Sequence, residues 1–272
     1  MSLPPPDSVK IDAQGDDLYM SPSGSSKNMR LNIVQAVILV GGLGTRLRHC
    51  LADRPKVLAS VRGRPFLSYL LDQLANYGVR DVVLCTGHLG EQVRTAFGDS
   101  YGKLRLAYSQ EISPLGTAGA LRLALPLLHS EYVLVMNGDS FCDVNLSAFF
   151  IWHQTRNARG SLVLVKRSNT TCSGRVEIDT EGRIASFKEK SGHAGPGLIN
   201  AGIYLFTRRL LQTIPDSEAI SLEQELLPGW INDGLYGYQS SGSFLDIGTP
   251  EAYALAEQFF STTTVSSPKG EL

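Results

Sequence analysis

A glycine-rich loop and two basic residues form the first group in the sequence whose types and spacing suggest chemistry. The loop, Gly41-Gly42-Leu43-Gly44-Thr45-Arg46-Leu47, follows an apolar run and precedes Pro55-Lys56. Glycines let the backbone approach a phosphate, whose oxygens can then bind amide groups and cations. Leu47 stands where a dinucleotide fingerprint needs glycine, and no Gly-Lys-Ser/Thr of a P-loop occurs. A structural turn remains the alternative, but the two cations favour a polyphosphate site.

Two aspartates, Asp139 and Asp246, each follow an apolar stretch that reads as a strand. The carboxyl edge of a buried strand is where ligands bind in an open α/β sheet. Mg²⁺ prefers one or two carboxylates together with phosphate oxygens and water. Either aspartate alone could instead cap a turn. As a pair, they favour a ligand-binding edge.

The elements that must position these residues alternate between strand and helix patterns. Apolar runs predict strands at 36–40, 81–86, 104–108 and 132–136, and helical spacing predicts helices at 65–78, 91–97 and 117–128. This rhythm predicts an α/β fold with a doubly wound, mostly parallel sheet. Later in the chain we expect a hairpin at 175–187, a strand at 201–206, and helices starting at Ser221 and Thr249. This half would extend the sheet with a small antiparallel part.

Composition narrows the class of protein. The 272 residues include 25 Lys and Arg against 26 Asp and Glu, a balance that argues against nucleic-acid binding. Apolar runs fall short of the ~20 residues of a membrane span, and the N-terminus lacks the pattern of a signal peptide. We expect a flexible N-terminal arm at 1–32, one folded domain at 33–261 and a flexible tail at 262–272.

Cysteines and histidines give no sign of a zinc site. The four cysteines lack metal-ligand spacing and are typical of free thiols in a reducing cytoplasm. The five histidines form no triad or metal spacing, and we expect all of them at the surface or in loops: His49, His88, His129, His153 and His193.

Taken together, the motifs resemble those of the sugar-1-phosphate nucleotidyltransferases, or sugar-nucleotide pyrophosphorylases. The loop with Pro55-Lys56 is followed, in the family's order, by Leu115-Gly116-Thr117-Ala118-Gly119-Ala120, Asn137-Gly138-Asp139, Glu189-Lys190, Asn200-Ala201-Gly202 and Phe244-Leu245-Asp246-Ile247-Gly248-Thr249-Pro250-Glu251. Within the family, Gly63-Arg64-Pro65-Phe66-Leu67 and Phe187-Lys188-Glu189-Lys190 are most similar to D-glycero-α-D-manno-heptose 1-phosphate guanylyltransferases. Val57 departs from the pattern, since the family often has a second proline there. The resemblance implies a Rossmann-like, GT-A-like fold.

The resemblance also implies a role for each matching residue. Asp139 and Asp246 would jointly hold Mg²⁺; Arg46 would contact the leaving pyrophosphate, and Lys56 would lie nearer the α-phosphate and the sugar phosphate. Lys190 would bind the sugar phosphate and Glu189 the sugar hydroxyls, with Gly174 and Asn200 completing the sugar pocket. The nucleotide would be bound by Leu39, Gly41, Gly42, Gly44, Thr45, Glu111, Gly116 and Thr117.

Glu111 occupies the position that reads the base in the resembled family. A carboxylate has only acceptors, which suits the adjacent N1–H and N2–H₂ donors of guanine and faces carbonyls in uracil. We therefore expect GTP as the nucleotide. The resemblance to the heptose 1-phosphate guanylyltransferases implies D-glycero-α-D-manno-heptose 1-phosphate as the sugar, in a reaction that supplies capsule, lipopolysaccharide or S-layer glycan synthesis. An exposed loop position remains open for Glu111, as do a uridylyl- or thymidylyltransferase and a non-catalytic nucleotide-sugar-binding homologue.

The expected partners are therefore small molecules, a nucleoside triphosphate and a sugar 1-phosphate, with Mg²⁺ as cofactor. Neither nucleic acid nor a membrane is expected as a partner, and we expect a homo-oligomer. A glycosyltransferase with an Asp-x-Asp metal motif fits poorly, because Asp139 is followed by Ser140 and Phe141.

Overall fold

The structure is a computed structural model that describes residues 31–42, 54–170, 174–188, 195–216 and 219–262. Most of the predicted arm and tail, together with Gly44, Thr45, Arg46, Glu189 and Lys190, lie outside these described residues. Leu31, which the sequence analysis assigned to the arm, is buried, and its N–H donates to the carbonyl of Tyr77.

Strands supply the framework of the fold. In chain order, the described strands are β1 (Val34–Leu39), β2 (Ser60–Val61), β3 (Arg64–Pro65), β4 (Asp81–Thr86), β5 (Ser100–Tyr101), β6 (Leu104–Gln110), β7 (Tyr132–Asn137), β8 (Ser140–Cys142), β9 (Gly160–Arg167), β10 (Arg175–Ile178), β11 (Ile184–Lys188), β12 (Gly197–Thr207), β13 (Leu235–Ser240) and β14 (Phe244–Asp246).

Helices connect these strands. They are α1 (Phe66–Asn76), α2 (Gly90–Phe97), α3 (Gly116–Ala124), α4 (Leu146–Thr155), α5 (Arg208–Leu211), α6 (Leu227–Gly229), α7 (Pro250–Ala254) and α8 (Ala256–Thr262), with a π-helical turn at Leu222–Leu226. The described helices include none with the length and apolar character needed to cross a membrane.

The main sheet has a parallel centre and antiparallel flanks. Its strands run in the order β11-β10-β12-β7-β1-β4-β6-β5, with β9 pairing β12 and β13. The pairs β7–β1, β1–β4 and β4–β6 are parallel, whereas β12 runs antiparallel to β7. The predicted mixed, mostly parallel sheet with a small antiparallel extension is confirmed.

Residues of β1 alternate between two hydrophobic cores, one on each face of the sheet. Ala36 and Ile38 pack into the core that also contains Leu70 of α1, while Val37 packs into the core that contains Leu121 of α3. A strand covered by helices on both faces is expected to be almost entirely apolar, which explains the apolar run from Ala36 onward. Gln35, near the start of β1, is the polar exception, and its side chain bonds to the carbonyl of Leu127 and the N–H of Ser130. The carboxyl ends of these strands therefore meet at one edge of a sheet that is held rigidly from both sides.

Two short antiparallel pairs stand apart from the main sheet. β2 pairs with β3, and β14 pairs with β8 with Asp246 opposite Ser140. Asp246 therefore ends a strand, as predicted, but this strand belongs to a separate two-stranded sheet rather than to the main sheet. The sequence of a three-residue apolar stretch does not indicate which strand it will pair with.

One histidine also differs from expectation. His153 lies on α4 with 1% of its surface exposed, and its Nδ1 is 2.8 Å from the Ser161 hydroxyl. The expectation of a surface or loop position is wrong for His153, because α4 packs this side against the sheet. His88 and His129 are exposed as expected, and His49 and His193 lie outside the described residues.

Candidate active site

A cavity of about 460 Å³ opens at the carboxyl ends of the four parallel strands. Its lining includes the end of β1, the residues after that strand and Asn137 at the end of β7, together with Glu111, which follows directly after β6. Eight of the residues predicted for the site line this cavity: Leu39, Gly41, Gly42, Lys56, Glu111, Gly116, Thr117 and Asp139. The topology thus brings these eight residues to one place, whereas Asp246 is not part of the cavity lining.

Lys56 and Asp139 form an ion pair inside this cavity. Lys56 Nζ donates to Asp139 Oδ2 at 2.8 Å, and the side chains are 12% and 44% exposed, respectively. Lys56 begins a 3₁₀ turn whose next residue, Val57, is buried in the core. At the position where the resembled family often has proline, Val57 anchors the turn through packing. The ammonium is therefore held at the strand edge, with one face of the carboxylate still open to solvent.

Asp246 approaches the same pair from the two-stranded sheet. Ile247 N–H donates to the backbone carbonyl of Asp139 at 2.9 Å, and Gly248 N–H donates to Asp246 Oδ1 at 2.6 Å. A Cβ on Gly248 would lie 2.8 Å from Asp246 Oδ1 and 3.4 Å from Lys56 Nζ, so both groups flank the same point. Both predicted metal carboxylates therefore lie near Lys56.

Glu111 lies with its carboxylate against a glycine turn. Its Oε2 accepts a hydrogen bond from Leu115 N–H at 3.1 Å, and a Cβ on Gly87 would come within 2.7 Å of its Oε1. A Cβ on Gly41 would lie 3.1 Å from the same oxygen. Burial raises the pKa of Glu111, and the Leu115 hydrogen bond partly offsets this effect. The carboxylate is thus fixed in the wall and is more basic than an exposed one.

The start of α3 approaches a neighbouring segment closely. Gly116 has φ +71°, and a Cβ there would lie 2.3 Å from the carbonyl oxygen of Ile220. Thr117 Oγ1 accepts from Leu222 N–H at 2.7 Å and donates to Glu223 Oε2 at 2.8 Å. The glycine is therefore required for both the backbone conformation and the contact.

Sequence reasoning missed two polar residues of the cavity wall, Asn137 and Glu223. Glu223 contacts Asn137 and Tyr204 as well as Thr117. Asn137 directly precedes Gly138-Asp139 and could have been flagged by that position. Glu223 carried no signal of this kind, since its segment was interpreted only as a helix start.

Two residues predicted for the sugar pocket, Gly174 and Asn200, lie outside the described wall of this cavity. Asn200 Nδ2 donates to Tyr204 Oη at 2.8 Å, and its Oδ1 accepts from Gly202 N–H at 2.9 Å. Gly174 is exposed beside β10. Their roles in sugar binding remain predictions, as do the roles of the predicted residues that fall outside the described part of the chain.

The cavity wall is rich in negative charge. Among its described residues, Glu111, Asp139 and Glu223 carry carboxylates and Lys56 carries an ammonium. A polyphosphate would not enter such a wall without further cations, because like charges at short distance repel strongly. The arrangement suits a phosphate ligand that arrives with a metal ion or meets additional basic side chains.

Comparison with known proteins gives one consistent result. The family model described as nucleotidyl transferase matches residues 35–263. A D-glycero-alpha-D-manno-heptose 1-phosphate guanylyltransferase of Aneurinibacillus thermoaerophilus is 36% identical over 83% of this chain and 97% of its own length. A mannose-1-phosphate guanylyltransferase of Mycobacterium tuberculosis is 34% identical over 83% of this chain and 64% of its own length.

Solved structures agree with the sequence comparison. The crystal structure of HddC from Yersinia pseudotuberculosis matches with a TM-score of 0.74 and 29% identity, covering 83% of this chain and 99% of that one. A second structure of HddC, complexed with GMP-PN, matches with a TM-score of 0.72 and 28% identity over the same shares of the two chains.

Proposed function

The chain belongs to the nucleotidyl transferase family, and on that premise we propose that it joins GTP to a sugar 1-phosphate and releases pyrophosphate. The family and the nucleotidyltransferase activity that the sequence motifs predict are confirmed. The sugar that we propose is D-glycero-α-D-manno-heptose 1-phosphate, the substrate named for the Aneurinibacillus relative. The product would be an activated sugar donor for capsule, lipopolysaccharide or S-layer glycan synthesis.

The observation that carries this proposal is the Lys56–Asp139 pair in the cavity at the strand edge. The ammonium of Lys56 has three N–H donors, so it can stay beside Asp139 and still donate to an incoming phosphate oxygen in a charge-assisted hydrogen bond. The proposal therefore assigns to Lys56 the task of neutralising charge near the α-phosphate. Arg46, outside the described residues, is proposed to do the same for the pyrophosphate.

The chemical step needs positioning more than acid or base catalysis. A sugar phosphate oxygen is already ionised at neutral pH, so it can attack the α-phosphorus while the P–O bond to pyrophosphate breaks on the opposite side. Holding the two phosphates in line and neutralising the charge on the leaving group supply most of the rate in such transfers. The described wall fits this task, since it offers fixed polar groups and a cation rather than a proton-transfer triad.

The residues present fit a divalent cation. Asp139 pairs with Lys56, Asp246 lies near the same ammonium, and both aspartates offer hard oxygen ligands. The wall's excess of carboxylates also calls for a cation when phosphates enter. We propose that these two aspartates hold Mg²⁺ together with phosphate oxygens of the nucleotide. Bound there, Mg²⁺ would supply charge neutralisation at the phosphates and fix their orientation.

We propose that Glu111 gives the site its preference for guanine. Its carboxylate lines the cavity and is fixed by Leu115 N–H and the Gly87 turn, which leaves acceptor capacity for two parallel N–H donors. The named activities of the relatives and the GMP-PN complex of HddC support the same base.

A cytoplasmic location is proposed from the thiols and the substrates. Among the described residues, Cys85 and Cys142 are free and buried, and free thiols are typical of a reducing compartment. GTP and sugar phosphates are also substrates expected inside the cell.

Pyrophosphate release tests the proposal. Wild-type protein would be assayed with Mg²⁺ and each of GTP, ATP, CTP and UTP, combined with the 1-phosphates of the heptose, mannose and glucose. We expect the highest kcat/KM for GTP with the heptose 1-phosphate, and measurable turnover with mannose 1-phosphate, which shares the manno configuration. Preference for UTP would overturn the role of Glu111 alone, whereas no release with any pair would overturn the proposed function.

A further inference from the structure

Glu223 is the most highly connected polar side chain of the cavity wall. Its Oε2 accepts from Thr117 Oγ1 at 2.8 Å and lies 3.5 Å from the Ser221 hydroxyl. Its Oε1 accepts from Tyr204 Oη at 3.1 Å and more weakly from Asn137 Nδ2 at 3.4 Å. These donors come from four different segments of the chain. Each carboxylate oxygen has about two acceptor sites, so the hydrogen-bonding capacity of Glu223 is filled by the protein itself.

On one side, Glu223 fixes the start of α3. Thr117 Oγ1 has its single hydrogen committed to Glu223 and accepts from Leu222 N–H at 2.7 Å. Ala118 N–H donates to the carbonyl of Ile220 at 3.0 Å, which adds a backbone link to the same segment. The position of this helix start determines where the wall formed by Gly116 and Thr117 meets a nucleotide.

On the other side, Glu223 fixes the side chain of Tyr204 and, through it, that of Asn200. Tyr204 is fully buried, and its hydroxyl donates to Glu223 while accepting from Asn200 Nδ2 at 2.8 Å. Burial and the charge of Glu223 raise the pKa of Tyr204 well above its ordinary value, so the phenol keeps its proton for this bond. Asn200 Oδ1 in turn accepts from Gly202 N–H at 2.9 Å. Both ends of the Asn200 amide are therefore held, and the orientation of that amide depends on Tyr204.

We infer that Glu223 is a positioning residue that couples the nucleotide end of the site, through Thr117, to the sugar end, through Tyr204 and Asn200. The inference rests on the proposed function and on the predicted place of Asn200 in the sugar pocket. Because its acceptor sites are occupied, Glu223 holds the two ends at a fixed separation rather than binding either substrate. The weaker bond to Asn137, the last residue of β7, links the same carboxylate to the strand that leads to Asp139.

Three variants separate the two arms of this network. Tyr204→Phe removes only the hydroxyl, and we expect the KM for the sugar 1-phosphate to rise about fivefold while the KM for GTP stays within twofold. In Thr117→Val, the KM for GTP should rise about fivefold while the KM for the sugar 1-phosphate stays within twofold. Glu223→Gln places an N–H₂ group against the donor of one arm and replaces the charge-assisted bond to the other arm with a weaker neutral one, so both KM values should rise. Glu225→Gln is the matched control, because it removes the same charge from an exposed position and keeps the acceptor for Ser221 N–H.

A role in stability alone would lower the melting temperature and leave the KM values unchanged. A coupling role also predicts that Tyr204→Phe adds less than twofold to the sugar KM in the Glu223→Gln background. Calorimetric titration measures the affinity for GTP without turnover. An inactive wild-type protein would therefore count against the proposed function, while the effect of Thr117→Val and Glu223→Gln on GTP affinity could still be measured. Unchanged KM values in folded Glu223→Gln would overturn the inference. If that variant does not fold, an unchanged sugar KM in Tyr204→Phe would overturn it.

Discussion

Among single residues, Glu111 is the one on which the proposed preference for GTP depends. Glu111→Gln replaces one acceptor oxygen with an N–H₂ group that would face the donors of guanine. Hydrogen bonds to a charged group are among the stronger ones, so we expect kcat/KM for GTP to fall at least ~10-fold. The ratio of GTP to UTP should also narrow, because the carbonyls of uracil no longer face a pure acceptor. Steady-state kinetics with both nucleotides measure the two effects.

Glu131→Gln, at an exposed position, is the control for loss of charge, and it should leave both values unchanged. A Glu111→Gln variant with wild-type discrimination would remove Glu111 from base recognition. The pH dependence gives a second check. Because burial raises the pKa of Glu111, the KM for GTP should begin to rise on acidification at a higher pH than an exposed carboxylate would cause. This part of the profile should be absent in the Gln variant.

His153 should make the stability of the fold sensitive to mild acid. Burial lowers its pKa to about 4, from 6.5. The unfolded chain binds the proton below pH 6.5, whereas the folded chain resists it until about pH 4, so stability falls as the pH falls through this window. Between pH 7 and 5 the loss from this group is about 2 kcal/mol.

Urea unfolding at pH 7 and 5 tests this assignment. His153→Gln keeps a polar group beside the Ser161 hydroxyl but does not titrate, so its unfolding free energy should change less between the two pH values by about 2 kcal/mol. His129→Gln, at an exposed position, serves as the control and should retain the wild-type difference. An equal loss in the wild type and His153→Gln would show that other groups cause the acid sensitivity.

At the scale of elements, the start of α3 depends on Gly116. Gly116→Ala meets two costs: a positive φ of +71° and a Cβ 2.3 Å from the Ile220 carbonyl oxygen. Gly102→Ala meets only the first, since its φ is +57° and nothing lies within 4 Å of the added Cβ. We expect Gly102→Ala to cost about 1 kcal/mol and Gly116→Ala to cost about 1–3 kcal/mol more.

Denaturant unfolding of the two alanine variants measures this difference directly. Gly116→Ala should also raise the KM for GTP, because the displaced helix start forms part of the cavity wall. Equal destabilisation by the two substitutions would show that the contact between α3 and the Ile220 segment is not required.

Sequence patterns predicted some elements well and others poorly. The strands of the parallel centre are buried on both faces, so their apolar runs could be recognised without knowledge of their neighbours. β14 is only three residues long, and its pairing with β8, next to Asp139, could not be predicted from its own sequence. The π-helical turn that carries Glu223 was predicted as an ordinary helix, and its partners Thr117 and Asn137 lie 106 and 86 residues away. Such contacts depend on tertiary packing, which local patterns do not encode.

At the scale of the whole molecule, the order of the strands brings motifs that are far apart in the sequence to one site. Lys56 and Asp139 are 83 residues apart in the sequence. Asp139 follows β7, which is parallel to its neighbour β1, and Lys56 begins a 3₁₀ turn that comes after β1 in the chain and reaches the edge where both strands end. The motif order indicated that both residues belong to the site, but their ion pair could not be predicted from spacing. Glu111 and Thr117 reach the same cavity from the connection between β6 and α3.

The turnover of Asp139→Asn tests the central claim, that this edge of the sheet performs nucleotidyl transfer, more directly than any other measurement. The substitution keeps the shape of the side chain but removes the charge that pairs with Lys56 and would hold Mg²⁺. Pyrophosphate release at saturating GTP, sugar 1-phosphate and Mg²⁺ would be compared with that of Asp143→Asn, an exposed carboxylate nearby in the chain. We predict that kcat falls at least ~10²-fold in Asp139→Asn and changes by less than twofold in Asp143→Asn. The melting temperatures of both variants should stay unchanged. Near-normal turnover in well-folded Asp139→Asn would contradict the account.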